Sequence, residues 1–112
     1  MAVSYLKRDS SPQQTVFSQE DWSSAYCNVE KELNLAELKL IRGSIPKQIS
    51  GTFYRNGPGR LERSGQWVHH PFDGDGMIAA FKFENGTIKL TNRFVRTKEW
   101  KEEEECQKFL YR

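Results

Sequence analysis

Met77-Ile78-Ala79-Ala80-Phe81-Lys82-Phe83, then Glu84-Asn85-Gly86, then Thr87-Ile88-Lys89-Leu90-Thr91-Asn92-Arg93-Phe94-Val95 reads as two strands joined by a tight turn. Asn-Gly accepts the positive φ that both central residues of a type I′ turn need, and that turn matches the twist of paired strands. In the second run Ile88, Leu90 and Phe94 fall on one face while Lys89, Thr91 and Arg93 fall on the other. Such alternation predicts a half-buried hairpin and an all-β fold class.

Upstream, Gly51-Thr52-Phe53-Tyr54-Arg55 is a second β-rich run, and Asn56-Gly57-Pro58-Gly59 carries the chemistry of a turn that would end it. A polar loop is expected to follow through Ser64-Gly65. From Leu33 the pattern also has period two, with Leu38 and Leu40 flanking Lys39, which predicts another strand with one buried face before Ile45-Pro46 breaks it. Ser18-Gln19-Glu20-Asp21 fits an N-cap and acidic first turn, placing a short helix over about 19–26 with Trp22 and Tyr26. Residues 1–16 are polar and read as a flexible leader, and 17–112 as one incomplete domain.

Downstream, Lys98 to Lys108 with Glu102-Glu103-Glu104-Glu105 reads as a solvated helical turn or loop. Phe109-Leu110-Tyr111-Arg112 is a β-favouring aromatic run with neither turn nor polar tail after it. About five strands with no second layer to cover them predict the opening part of a larger fold, since a sheet must bury its apolar face.

Composition narrows the class. The chain has 112 residues, one ordinary domain, and a formal net charge of +2. Apolar residues including glycine make about 40% of it, below the usual ~45–50%, so the expected core is thin. The 12% aromatic content opposes disorder. No apolar run approaches the ~20 residues of a membrane span, and Met1 to Ser11 lacks the apolar core of a signal peptide. The balance of 17 basic and 15 acidic residues gives no electrostatic reason for a nucleic-acid partner. A cytoplasmic soluble protein is expected.

His69-His70-Pro71-Phe72-Asp73-Gly74-Asp75-Gly76 is the densest set of possible metal ligands, because imidazole and carboxylate both suit divalent iron. Adjacent histidines in extended backbone point to opposite faces, however, so His69 and His70 are read as structural hydrogen-bonding groups. Asp73-Gly74-Asp75 with Glu84 at the twelfth position resembles a calcium loop, but Met77 and Ile78 stand where a ligand and a glycine are required. Gly74-Asp75-Gly76-Met77-Ile78-Ala79 matches a loose dinucleotide fingerprint, yet a strand follows it where a helix is needed. Asn85-Gly86-Thr87 is formally a glycosylation sequon, better explained by the turn. Cys27 and Cys106 read as ordinary thiols, with no CxxC spacing for zinc or redox chemistry. No Ser-His-Asp constellation can be built.

Two stretches together carry a resemblance. Gly43-Ser44-Ile45-Pro46 followed by Gly51-Thr52-Phe53-Tyr54-Arg55-Asn56-Gly57-Pro58-Gly59 resembles the opening signature of the carotenoid cleavage oxygenases, and His70-Pro71-Phe72-Asp73-Gly74-Asp75-Gly76-Met77 is similar to their second landmark. Asn92-Arg93-Phe94-Val95-Arg96-Thr97 and Tyr111-Arg112 continue the pattern, so the likeness covers about 43–112. The spelling, with Ser18-Gln19-Glu20-Asp21-Trp22, is nearest to the cyanobacterial apocarotenoid oxygenases.

The resemblance implies the opening strands of a seven-bladed β-propeller. It further implies a non-haem Fe(II) dioxygenase that cleaves a conjugated double bond of carotenoids or apocarotenoids to aldehydes such as retinal. Its partners would be an apolar polyene, dioxygen and, peripherally, a membrane. The four iron-binding histidines of the family are expected beyond Arg112, so no catalytic, cofactor-binding or metal residue is assigned within this chain. Gly57, Pro58, Asp73, Gly74 and Gly76 are expected to shape turns, Gly74 through a positive φ. The isolated chain is expected to be inactive, iron-free and, through its open strand edges, either poorly folded or prone to aggregate. A non-catalytic β-rich binding module and a truncated gene remnant are the alternatives.

Overall fold

A computed structural model of the chain describes residues 19–111. The leader expected over 1–16 and the Ser18 N-cap lie outside the described residues. The elements in order are helix α1 (Gln19–Ala25), strands β1 (Ala36–Glu37), β2 (Gly51–Arg60), β3 (Glu62–Arg63) and β4 (Gln66–Trp67), a 3-10 turn (Pro71–Asp73), strands β5 (Asp75–Glu84) and β6 (Thr87–Phe94), and helix α2 (Lys98–Cys106). The main sheet has the order β1-β6-β5-β2, antiparallel throughout, with β3 and β4 forming a separate two-stranded ribbon.

The hairpin forms as its sequence requires. Glu84 faces Thr87, Met77 faces Phe94, and Asn85 and Gly86 take φ of 49° and 77°, the two positive values of a type I′ turn. Phe81, Phe83, Ile88 and Leu90 share one face of the β5–β6 pair, and Phe53 of β2 joins them opposite Phe81 at a ring distance of 6.1 Å.

Several expectations fail, and for Asn56-Gly57-Pro58-Gly59 and Phe109 the reason is a partner distant in sequence. Asn56-Gly57-Pro58-Gly59 is no turn. β2 runs through it in register with β5, Gly57 facing Met77 and Pro58 facing Gly76, and shifts register only between Pro58 and Arg60. β2 is a sheet edge, where a residue lacking a backbone donor is tolerated. The strand expected around Leu38 and Leu40 shrinks to Ala36–Glu37, and both leucines are exposed. Leu35, just before this strand, has φ of 50°, so the strand does not begin earlier. Ser64 and Gly65 form the tight turn of the β3–β4 ribbon instead of a polar loop. Residues 98–106 are a true helix, started by Thr97, whose Oγ1 accepts the Trp100 N–H at 3.1 Å. Phe109 does not begin a strand but turns inward, its N–H donating to Gln66 Oε1 at 3.0 Å.

Two small apolar centres result. Leu61, Val68 and Phe109 pack together with Trp67 against them, and Met77 and Phe94 are buried at the far end of the hairpin. Residues 28–35 strap the strand ends. Asn28 Oδ1 accepts the N–H groups of Leu61 and Glu62 at 2.8 and 3.1 Å, and Glu32 accepts Phe94 N–H at 2.8 Å while pairing with Arg96 at 2.7 Å. The molecule is flat, with a radius of gyration of 19.5 Å against about 13 Å for a compact domain of this length.

Candidate functional site

The connection from β4 into β5 gathers the chemistry-bearing residues. His70 caps the 3-10 turn, its Nδ1 accepting the Phe72 N–H at 3.1 Å with its ring edge-on to Phe72 at 4.8 Å. His69 is exposed beside it. Asp73 closes the turn, and its backbone N–H donates to the His70 carbonyl at 2.9 Å.

Gly74 has φ of −67°, so the expected positive φ is absent. Its requirement is steric: a β-carbon there would lie 2.8 Å from both the Arg60 carbonyl oxygen and Leu61 Cδ2. Gly57, Pro58 and Gly76 likewise sit within paired strands, not in turns. The two stretches quoted for the resemblance thus lie side by side, Pro58 against Gly76 and Arg60 against Asp75.

Asp75 anchors a charge network that the sequence did not reveal. Its Oδ2 accepts from Arg63 Nη2 at 2.7 Å, with both side chains 1% exposed. Arg63 Nη1 donates to Glu104 Oε2 at 2.7 Å, and Arg60 donates to the same oxygen. Arg63 lies over the Phe109 ring and Arg60 over Phe94. Burial pushes the Glu104 carboxyl up, but the hydrogen bond from Arg63 and the charge of Arg60 outweigh it and hold the group below its ordinary value. Neighbouring Glu103 is 0% exposed and accepts the N–H groups of Leu110 and Tyr111 at 2.9 and 3.1 Å. The solvated-face reading of Glu102 to Glu105 is wrong for these two residues. Their partners come from 41 residues upstream and from the backbone beyond the helix, and neither source is marked in the glutamate run itself.

An open cleft of about 540 Å³ lies beside this connection, lined by Phe72, Asp73, Asp75, Val95, Trp100 and Tyr111. Thr97 and Glu99 also line it, and the Thr97 side chain hydrogen-bonds the Glu99 carboxylate. Cys27 and Cys106 are exposed free thiols. Among the described residues no three His, Cys, Asp or Glu side chains converge on one point, so the donor set here does not fit a metal centre. No described helix is long and apolar enough to cross a membrane.

The fold and this spelling can be set beside known proteins. Residues 26–112 match the model of the retinal pigment epithelial membrane protein family. The chain belongs to this family. Apocarotenoid-15,15'-oxygenase of Synechocystis is 43% identical over 104 residues, 92% of this chain and 21% of the relative. Isoeugenol monooxygenase of Pseudomonas nitroreducens is 41% identical over 80 residues, 71% of this chain and 16% of the relative. A cobalt-substituted form of the Synechocystis enzyme superposes with a TM-score of 0.75 at 43% identity, covering 85% of this chain and 20% of that one. The chain therefore spans about a fifth of the length of the relatives it matches. Its strands are the opening strands of the family's β-propeller, as the resemblance implied, and metal binding occurs within the family.

Proposed function

We propose that the whole protein carrying these residues is a non-haem Fe(II) oxygenase that cleaves a conjugated carbon–carbon double bond of an apocarotenoid, with dioxygen as co-substrate and aldehydes as products. The observation that carries this reading is the 43% identity to apocarotenoid-15,15'-oxygenase over 92% of the chain. Iron in this reading is held by histidines outside residues 1–112, because the described donors do not converge. Residues 51–84 serve as scaffold: the network of Arg60, Arg63, Asp75 and Glu104 and the packing of Gly74 fix the first strands on which the ring is built.

A second reading has its own support. Isoeugenol monooxygenase, at 41% identity over 71% of the chain, is named for a compact phenolic alkene instead of a long polyene. The whole polypeptide, loaded anaerobically with Fe(II), would be given an apocarotenal or isoeugenol in air. Retinal-type aldehyde from the first substrate, with matching oxygen uptake, supports the proposal. Turnover of isoeugenol alone would establish the second reading, and turnover of neither would sink both. The 112-residue chain itself should bind no stoichiometric iron by elemental analysis.

A further inference from the structure

We propose that α2 and residues 109–111 form a single clasp that opens and closes on the sheet as one unit, held shut by Glu103 and Glu104. The two carboxylates are neighbours on the helix and do different work. Glu104 reaches the strands, accepting from Arg63 at 2.7 Å and from Arg60. Glu103 reaches forward, accepting the backbone N–H groups of Leu110 and Tyr111 at 2.9 and 3.1 Å. Between them the chain reverses at Gln107, whose φ is 56°, and Phe109 drops into the centre made by Leu61 and Val68. Helix, reversal and aromatic plug are therefore tied to one another before they are tied to the sheet.

Two physical arguments make this a separable unit. A nine-residue helix is too short to persist alone in water, so α2 depends on these attachments. The charge network also divides cleanly. Arg63 and Asp75 are both buried on the sheet side and remain paired when the clasp opens. Glu104, with 37% of its side chain exposed, and Arg60, with 18%, can pass to water. Opening thus strands no lone charge in the interior, which is the usual obstacle to separating a buried network.

Amide hydrogen exchange on the whole protein carrying these residues tests the proposal, comparing wild type with Glu103→Gln, Glu104→Gln, the double variant and the exposed control Glu105→Gln. Glu104 touches neither Leu110 nor Tyr111, yet Glu104→Gln should speed exchange at both amides by about two- to fivefold, as expected when a part-exposed carboxylate leaves its arginines. The double variant should exchange faster at Leu110 and Tyr111 by about the product of the two single effects, because both carboxylates stabilise the closed form of the same unit. Phe81 and Leu90 in the hairpin, and all sites in Glu105→Gln, should keep wild-type rates. Wild-type rates at Leu110 and Tyr111 in Glu104→Gln would overturn the proposal. So would a double variant no faster than the faster single one, or hairpin amides that accelerate together with the clasp.

Discussion

Arg63 and Asp75 make an ion pair of 2.7 Å between two side chains that are each 1% exposed. One comes from a two-residue ribbon strand and the other from the first position of β5, so the pair fixes the ribbon onto the main sheet. Asp75→Asn would leave the Arg63 charge buried with only Glu104 opposite it. The expected loss is about 3 kcal/mol, as for a buried pair robbed of one partner. Urea unfolding would measure it, and a loss below about 1 kcal/mol would show that the pair is not structural.

Two glycines of the same spelling should respond differently. Gly74→Ala drives a β-carbon against the Arg60 carbonyl and Leu61, and should cost about 1–3 kcal/mol as an overpacked site. Gly57 has open space where its β-carbon would stand, and Gly57→Ala should stay within about 0.5 kcal/mol of wild type. Equal losses for the two would refute the steric account.

Acid should loosen α2 and the strap before the hairpin. Glu32 lies below its ordinary value because Phe94 N–H bonds to it, burial opposing and Arg96 assisting, and Glu104 lies below its own through the arginines despite burial. A carboxyl depressed on folding stabilises the fold above its unfolded pKa and loses that contribution as pH falls through the folded value. Stability should therefore be flat near neutrality and decline from the ordinary carboxylate range downward. Near-UV circular dichroism of the tryptophans would follow it, and Glu104→Gln should show a smaller acid-dependent change than wild type.

The open side of β2 exposes a ten-residue edge with Phe53 and Tyr54 on its surface. Long unpaired edges template association with other strands. Light scattering of the isolated chain should rise with concentration, and Tyr54→Lys should suppress it by placing a charge on the edge. Undiminished scattering in that variant would move the cause elsewhere.

What the sequence disclosed follows the range of the forces involved. The β5–β6 hairpin was legible because Asn85-Gly86 and the alternation of Ile88, Leu90 and Phe94 act within a few residues. Asn56-Gly57-Pro58-Gly59 looks like a turn locally and becomes a strand only because β5 lies alongside it. Glu103 and Glu104 look solvated because nothing in a run of four glutamates marks the two whose partners arrive from Arg60, Arg63 and the backbone at 110–111. His70 makes a hydrogen bond of the kind its adjacency to His69 led one to expect, capping the 3-10 turn, whereas the role of Gly74 was misassigned because close approach leaves no local signature. Family membership was legible throughout, since it depends on the spelling of both stretches and not on how either one folds.

The pairing of Pro58 with Gly76 and of Arg60 with Asp75 bears on how this chain can be recombined with its relatives. A crossover placed between residues 61 and 74 would take one stretch from each parent, and a side chain from one could then meet the Arg60 carbonyl that only a glycine from the other leaves free. Crossovers before residue 51 or after residue 84 keep both stretches from the same parent. Functional hybrids should have their joints outside that window.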